Sequence, residues 1–344
     1  TGEAGLAFFS TGAAGQFPKS EFRVDEARVF VEAPVVKDVY FFGELNLQTR
    51  EASDENLHFG ELYVNFAPDS GRLGGPARLV NVRAGEFYTP FGEEYRLRGV
   101  VANPLISHSL PDIWGVDEGV EIYGELGRFQ YALAVQNGGG SVLRDFNADK
   151  SIAGRVGWEA APWLQLSASA MRTGEIATTA EGVTELWFGS GFFRALGFSK
   201  TTPTFWASLY EADATARWKG GRLSAALGRV DYDDSDTAAN NARRLHYGFI
   251  EGMQGIADKL YGAVRFSAVR VPRGYPVAGW GTLGRYFFSP SLTKDLKRLS
   301  LGLGYTFGPP LVLKVEYTRE WGQQTTGASR NQEDFFGTEV GLKF

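Results

Sequence analysis

The last ten residues, Phe335 to Phe344, set Phe336, Val340, Leu342 and Phe344 on one face of an extended segment and Gly337, Glu339, Gly341 and Lys343 on the other. A period of two with the apolar set on a single face describes a strand with one dry side and one wet side. Two kinds of fold can finish this way: a soluble β-sandwich with an amphipathic edge strand, or a closed transmembrane β-barrel. The rest of the chain decides between them.

Composition narrows the choice. The 344 residues suit two ordinary domains or one large all-β domain. Hydrophobic content is 43% and mean hydropathy is −0.20, and no run approaches the roughly 18 apolar residues that a membrane helix needs. A helical membrane protein is excluded. A transmembrane barrel escapes that test, because its strands place apolar residues only at alternate positions. Aromatic content of 14% with 44 glycines suits interfacial girdles and tight turns. The chain has no cysteine, which removes disulfide frameworks and Cys-based metal sites and suits an oxidising compartment. With a net charge of −5 there is no footprint for nucleic acid. No secretory leader is visible at Thr1, so the chain reads as a mature, processed form.

About sixteen segments alternate with period two, and their connections alternate between short and long. Short turns fall at Pro34 to Asp38, Ala67 to Arg78, Gly127-Arg128, Ala160 to Trp163, Lys219 to Gly221, Gly255 to Lys259 and Gly308 to Pro310. Between them lie Thr11 to Glu21, Glu51 to Asn56, Tyr88 to Glu118, Gly138 to Lys150, Thr173 to Thr204, Asp231 to Arg243, Val271 to Leu296 and Gly322 to Asp334. Six of these eight run well past ten residues. A soluble sandwich has no reason to sort loops by end, whereas an outer-membrane barrel has short periplasmic turns and longer outer loops. A first strand near Ala4 to Ser10 then gives an even count, as a closed antiparallel barrel of this kind requires, with both termini periplasmic. The expectation is an all-β, sixteen-stranded transmembrane antiparallel barrel in the bacterial outer membrane, a single domain over residues 1–344, with outer-membrane lipid against its wall. The strand near 244–254 fits worst, because Glu251 shares a face with Leu245, Tyr247 and Phe249.

The inward positions predicted from parity carry both signs of charge: Glu26, Arg28, Glu32, Glu44, Arg50, Glu61, Arg83, Glu121, Glu125, Arg155, Glu159, Asp213, Arg217, Arg265, Lys314, Glu316, Glu339 and Lys343. A dry core with so many charges would need every one paired at a cost of several kcal/mol per ion. A water-filled lumen is the expectation, and sixteen strands are wide enough to hold one. Passive passage of small hydrophilic solutes or ions follows.

The third long loop, Tyr88 to Glu118, carries Glu93, Glu94, Arg96, Arg98, His108, Asp112, Asp117 and Glu118 with Pro90, Pro104 and Pro111 and the aromatic anchors Tyr88, Phe91 and Trp114. Long loops with their own packing groups are usually functional. The run Val82-Arg83-Ala84-Gly85-Glu86-Phe87-Tyr88-Thr89-Pro90-Phe91-Gly92-Glu93-Glu94 resembles the R-x-G-x-F-x-x-P-F-G-x-E stretch of the phosphate-selective porin O and P family. Ser109-Leu110-Pro111, Asp117 to Gly124 and Tyr131 to Gly138 extend the resemblance over roughly residues 79 to 138. It implies a sixteen-stranded homotrimeric porin whose third loop folds into the barrel and narrows it. The arginine ladder and lysine cluster of that family's phosphate-selective members do not map onto this chain. The expected constriction opposes Arg28, Arg50 and Arg83 of the early strands to Glu93, Glu94, Asp112 and Asp117, with Arg96 and Arg98 making the loop mixed in sign. The alternative for any of these residues is pairing that pins the loop.

No catalytic constellation is apparent. His58, His108 and His246 are scattered without H-x-x-x-H or His-Asp-Ser spacing, and no cofactor is implied. Asp231, Asp233, Asp234 and Asp236 offer several carboxylates to a hard cation such as calcium. The run lacks the glycine and closing glutamate of an EF-hand, and a solvated loop is the other reading. Against the porin stands a second functional reading, a plugged barrel acting as surface scaffold, adhesin or sheath for a periplasmic partner.

Overall fold

The structure, a computed structural model, describes residues 1–48, 57–68, 79–138, 149–177, 204–236, 238, 241–286 and 292–344. Sixteen long strands form the wall. The first eight are β1 Gly2–Thr11, β2 Glu21–Val36, β3 Val39–Gln48, β4 His58–Phe66, β5 Asn81–Tyr88, β6 Val116–Leu126, β7 Phe129–Gln136 and β8 Ser151–Ala161. The rest are β9 Leu164–Arg172, β10 Thr204–Trp218, β11 Gly221–Asp234, β12 Arg243–Gly255, β13 Leu260–Tyr275, β14 Thr293–Gly308, β15 Leu311–Gln324 and β16 Phe335–Lys343. Two-residue strands at Ile176–Ala177 and Ser329–Arg330 extend the sheet at the loop end. Each strand pairs antiparallel with the next, and β1 closes on β16 from Glu3 opposite Lys343 to Thr11 opposite Phe335.

Three of the tight turns, at Asp38, Gly127 and Gly220, are built as two-residue hairpins of the favoured hand demand. Such turns need positive φ at their centre to match the twist of the strands, and Gly127 (φ 61) and Gly220 (φ 74) supply it where a side chain would be strained. Asp38 takes the same conformation at φ 67, as a short polar side chain can.

Alternation sorts the side chains as expected. Val31, Leu47, Val120, Leu133, Ile152 and Leu301 are exposed on the outside of the barrel, which is what a lipid-facing wall requires. At the turn end Trp163, Trp218, Phe307 and Phe344 are exposed, and Phe129 stacks on Trp158 at 6.2 Å. At the loop end Phe22, Phe59 and Tyr210 are exposed. Glu44, Glu121, Arg155, Arg265, Lys314, Glu316 and Glu339 are buried on the inside.

The interior departs from the expectation of a lumen filled by water. Over β8 to β14, inward Phe205, Leu209, Val230, Leu245, Val269 and Leu296 form one apolar cluster with Phe91, Leu110 and Ile113 of the third loop and Val277 beyond β13. The segment after β13 also packs Trp280 against the Phe9–Phe335 pair, stacking on Phe335 at 4.0 Å. Loops that turn inward bring their own apolar groups, so parts of the inner wall are dry. This explains the poorly fitting strand. Leu245 and Tyr247 point inward with Glu251, and Ile250 is the exposed outer residue. No bulge is needed: β12 pairs with both neighbours without a shift of register.

Candidate functional site

The third loop runs from Thr89 to Gly115 between β5 and β6, with one short 3-10 turn at Glu94–Leu97. Its path is fixed by inward residues of the wall. Thr89 Oγ1 donates to Gln136 Oε1 at 2.9 Å, and the Gly92 amide donates to Ser169 Oγ at 3.0 Å. Gly92 has φ 71, and a Cβ there would lie 2.5 Å from Glu211 Oε1, so the loop passes close to β10 only as glycine.

Farther along, the loop lies against β13 to β16. Lys314 Nζ donates to the Val100 and Leu105 carbonyls at 2.7 and 3.0 Å. Glu316 accepts the Ile106 and Ser107 amides at 2.6 and 2.8 Å and the Ser107 hydroxyl. Arg265 donates to the Ser107 carbonyl at 2.7 Å and to Asn103 Oδ1 at 3.0 Å, and Arg298 donates to the His108 carbonyl at 3.1 Å. The clamping cations are neutralised in turn: Lys314 by Glu339 at 2.6 Å, Arg298 by Glu320 at 2.8 Å, and Arg265 by Glu251. Orphaned loop amides and carbonyls would each cost about 1–3 kcal/mol when buried; here the ions satisfy them. Close approach again needs glycine, because a Cβ at Gly341 would lie 2.4 Å from Val100 and one at Gly302 2.5 Å from Leu105. Gly341 and Glu339 of the terminal strand therefore serve loop packing rather than bulk water.

The residues expected at a constriction separate into three groups. Arg28 sits among Glu3, Glu26 (3.5 Å) and Glu44 (3.6 Å), all on β1 to β3. Arg83 pairs with Glu121 at 3.2 Å and lies over the rings of Tyr63 and Tyr123 at 4.3 and 5.2 Å. Arg50 falls outside the described residues. The loop's own charges mostly pair with one another: Arg98 with Asp112, His108 Nδ1 with Asp112 at 3.3 Å, and Arg96 with Glu93 at 3.3 Å. Glu94 accepts the Ser109 amide at 2.9 Å and its hydroxyl. Asp117 belongs to β6 and accepts the Gly138 amide at 2.6 Å. Direct pairing of the loop acids with Arg28 or Arg83 is absent among the described residues. Among the described residues, the wall cation ion-paired with a loop acid is instead Arg155 of β8, with Glu93. Parity placed Arg155, Arg265, Lys314 and Glu316 inward, yet nothing in the sequence marks which inward charges will hold loop backbone.

Burial and charge act on the loop groups in opposite senses. Burial, reinforced by Asp112, pushes the Glu94 carboxyl above the usual range. Burial also opposes ionisation of Asp112, but Arg98 and then His108 outweigh it and hold that carboxyl well below its ordinary value. Burial pushes the Tyr95 hydroxyl up to about 12. Between the loop and β10 to β13 lies a narrow cleft lined by both signs, including Glu94, Glu211, Asp213, Arg222 and Arg265.

The acidic run at the end of β11 does not form a cation cage. Asp231 is held by Arg229 at 2.8 Å and Arg244 at 2.6 Å, and Asp234 Oδ1 accepts the Asp236 amide at 2.8 Å. Strand alternation puts Asp231 and Asp233 on one face and Asp234 on the other. Among the described residues no three carboxylates or histidines converge as a metal would need.

No family profile and no curated protein sequence matches the chain. Solved structures do. The chain is similar to OmpT, an outer membrane protein of Vibrio cholerae, at TM-score 0.66 and 10% identity, covering 100% of this chain and 96% of that one. It is similar to the outer membrane channel DcaP of Acinetobacter baumannii at TM-score 0.62 and 14% identity, covering 100% and 96%. An anion-selective porin from Comamonas acidovorans gives TM-score 0.59 and 11% identity, covering 99% and 97%. At such identities the shared property is the fold, and that fold is the closed barrel of outer-membrane porins and channels.

Proposed function

We propose that the chain is an outer-membrane porin that lets small hydrophilic solutes or ions diffuse through a lumen narrowed by its third loop. The observation that carries this reading is the closed sixteen-stranded wall, apolar outside, with the inward charges Arg83, Glu125, Glu159, Asp213 and Arg217 partly open to solvent. In this reading the long loops face outward and both termini are periplasmic. The constriction lies between Glu93 and the half-exposed Arg96 on the loop and Arg83, Glu121, Arg155 and Asp213 on the wall. Arg28, Glu94, Arg98, Asp112 and Asp117 then pin structure rather than touch solute. A homotrimer is the proposed assembly, favoured by a V. cholerae OmpT structure described as a trimer form and by the uncharged outer face of β1 to β4 between Val24 and Phe66. Kinship with the phosphate-selective porin O and P family belongs to the proposal as an architectural relation, without phosphate preference.

A plugged barrel is the second reading, and the dry cluster joining Phe91, Leu110 and Ile113 to the wall favours it. Purified protein in planar bilayers separates the two. Stable conductance steps in multiples of three support the porin, and a folded barrel that stays electrically silent supports the plug.

A further inference from the structure

The outer surface of the barrel is not uniform around its circumference near the loop end. On β1 to β4 this level carries Phe8, Phe22, Val24, Leu47 and Phe59, without a charge. Across β10 to β15 it is basic. Arg229 lies opposite His246 in the β11–β12 ladder, His246 opposite Arg270 in the next, and Arg244 opposite Asp231 one step farther out. Lys297 and Arg319 continue the arc on β14 and β15, and all but the half-buried Arg229 are exposed.

The arc also holds Asp231, Asp233 and Asp295. Asp231 bridges Arg229 and Arg244, and Asp295 meets Lys297 at 3.7 Å. Arg270 lies opposite Asp295 in the β13–β14 ladder, and Asp334 accepts the Tyr317 hydroxyl near Arg319, but neither arginine forms an ion pair among the described residues. Five cations against four carboxylates leave the arc a small positive excess. Aromatic rings support it: Arg229 lies over Tyr210 at 5.2 Å and Arg319 over Trp321 at 5.9 Å. Toward the turn end the same strands expose Leu227, Ile250 and Leu301.

Cations directly above an apolar wall are costly to leave facing hydrocarbon. They match a ligand that presents fixed anions at headgroup depth and acyl chains below. We propose that this arc is a docking site for a phosphorylated, multiply acylated lipid of the outer leaflet, with Arg270 and Arg319 as its principal phosphate contacts. The site rests on the orientation given above, in which the long loops face outward, but not on whether the lumen conducts.

The test uses the full chain in mild detergent, titrated with bis-phosphorylated lipid A and, separately, with the same lipid after removal of its phosphates. A juxtamembrane cation adds roughly a fivefold gain in affinity for an anionic surface. The triple variant Arg270→Gln, Lys297→Gln, Arg319→Gln should therefore bind the phosphorylated lipid on the order of a hundredfold more weakly. A lumen control, Arg83→Gln, should bind as the parent does. Heat-modifiable migration confirms that each variant is folded. Equal binding by parent and triple variant overturns the proposal. So does equal binding of the two lipids, or full displacement by inorganic phosphate at matched concentration, which would mark a site for free anions. Bilayer silence with lipid binding intact would defeat the porin reading alone. A protease site inserted at Gly327 and cut only in broken cells would defeat the orientation.

Discussion

Two walls of the same lumen use the same residue types for opposite ends. On β13 to β16, Arg265, Arg298, Lys314 and Glu316 are buried and bond the backbone of the third loop, with Glu339 beneath Lys314. On β5 to β8, Arg83 pairs with Glu121 and leans on tyrosine rings, and Arg155 pairs with Glu93 with Glu211 and Asp213 nearby; among the described residues neither cation holds loop backbone. A charge that completes a buried ion pair cannot be removed cheaply. One that holds no loop backbone costs less to lose. The first wall fixes the loop, and in the proposed porin the second is where a solute would meet charge.

The largest test of this contrast is Lys314→Ala, which leaves Glu339 buried without its cation and the Val100 and Leu105 carbonyls without a donor. Breaking one side of a buried pair typically costs about 3–5 kcal/mol. Urea unfolding should register a loss of that order, and conductance should become noisy as the loop loosens. An unchanged midpoint would mean that the loop is held elsewhere.

On the opposite wall, Arg83→Gln also leaves a buried carboxylate, Glu121, without its cation, but it frees no loop backbone and should cost less than Lys314→Ala. Its effect should fall on selectivity, with reversal potential under a salt gradient moving toward cations. Arg28→Gln, set among three acids of β1 to β3, should shift that potential less. Were Arg28→Gln the stronger of the two, the permeation path would run along β1 to β3 instead.

The smallest effect concerns acid. Asp112 has a folded pKa below its ordinary value of 3.8, so the stability it contributes is fully present above that pH and is lost as pH falls through the folded value. Asp112→Asn should lower stability at neutral pH and flatten the acid limb of the unfolding profile below about pH 4. A parallel shift at all pH values would show that Asp112 acts through shape rather than charge.

The strand plan was legible because alternation is a local property: each inward charge is flanked by outward apolar residues, as in Leu313-Lys314-Val315-Glu316. The class of barrel could be read from the sorting of connections by length. What could not be read was the partner of each inward charge. Glu316 bonds amides about two hundred positions away in sequence, and a backbone amide has no residue type to give it away. The misfit of Leu245 and Tyr247 beside Glu251 was the one local sign that an inner wall was dry. Its cause, Phe91 and Leu110 arriving from a loop, lay far along the chain. The glycines misled in the same way. Gly341 reads as a neutral lumen residue until Val100 is found against it.

The seam between β1 and β16 has a kinetic meaning. Every other strand can pair with a neighbour adjacent in sequence, as in a growing meander, but Gly5 must find Gly341. Contacts so distant along the chain pay the largest loop-closure entropy and form slowly. Until they form, two open edges present unpaired amides and carbonyls to any other strand nearby. Assembly must therefore end in a single all-or-none zipping event. A chain stalled before it would be a sticky half-barrel, prone to borrow the closing strand of another copy.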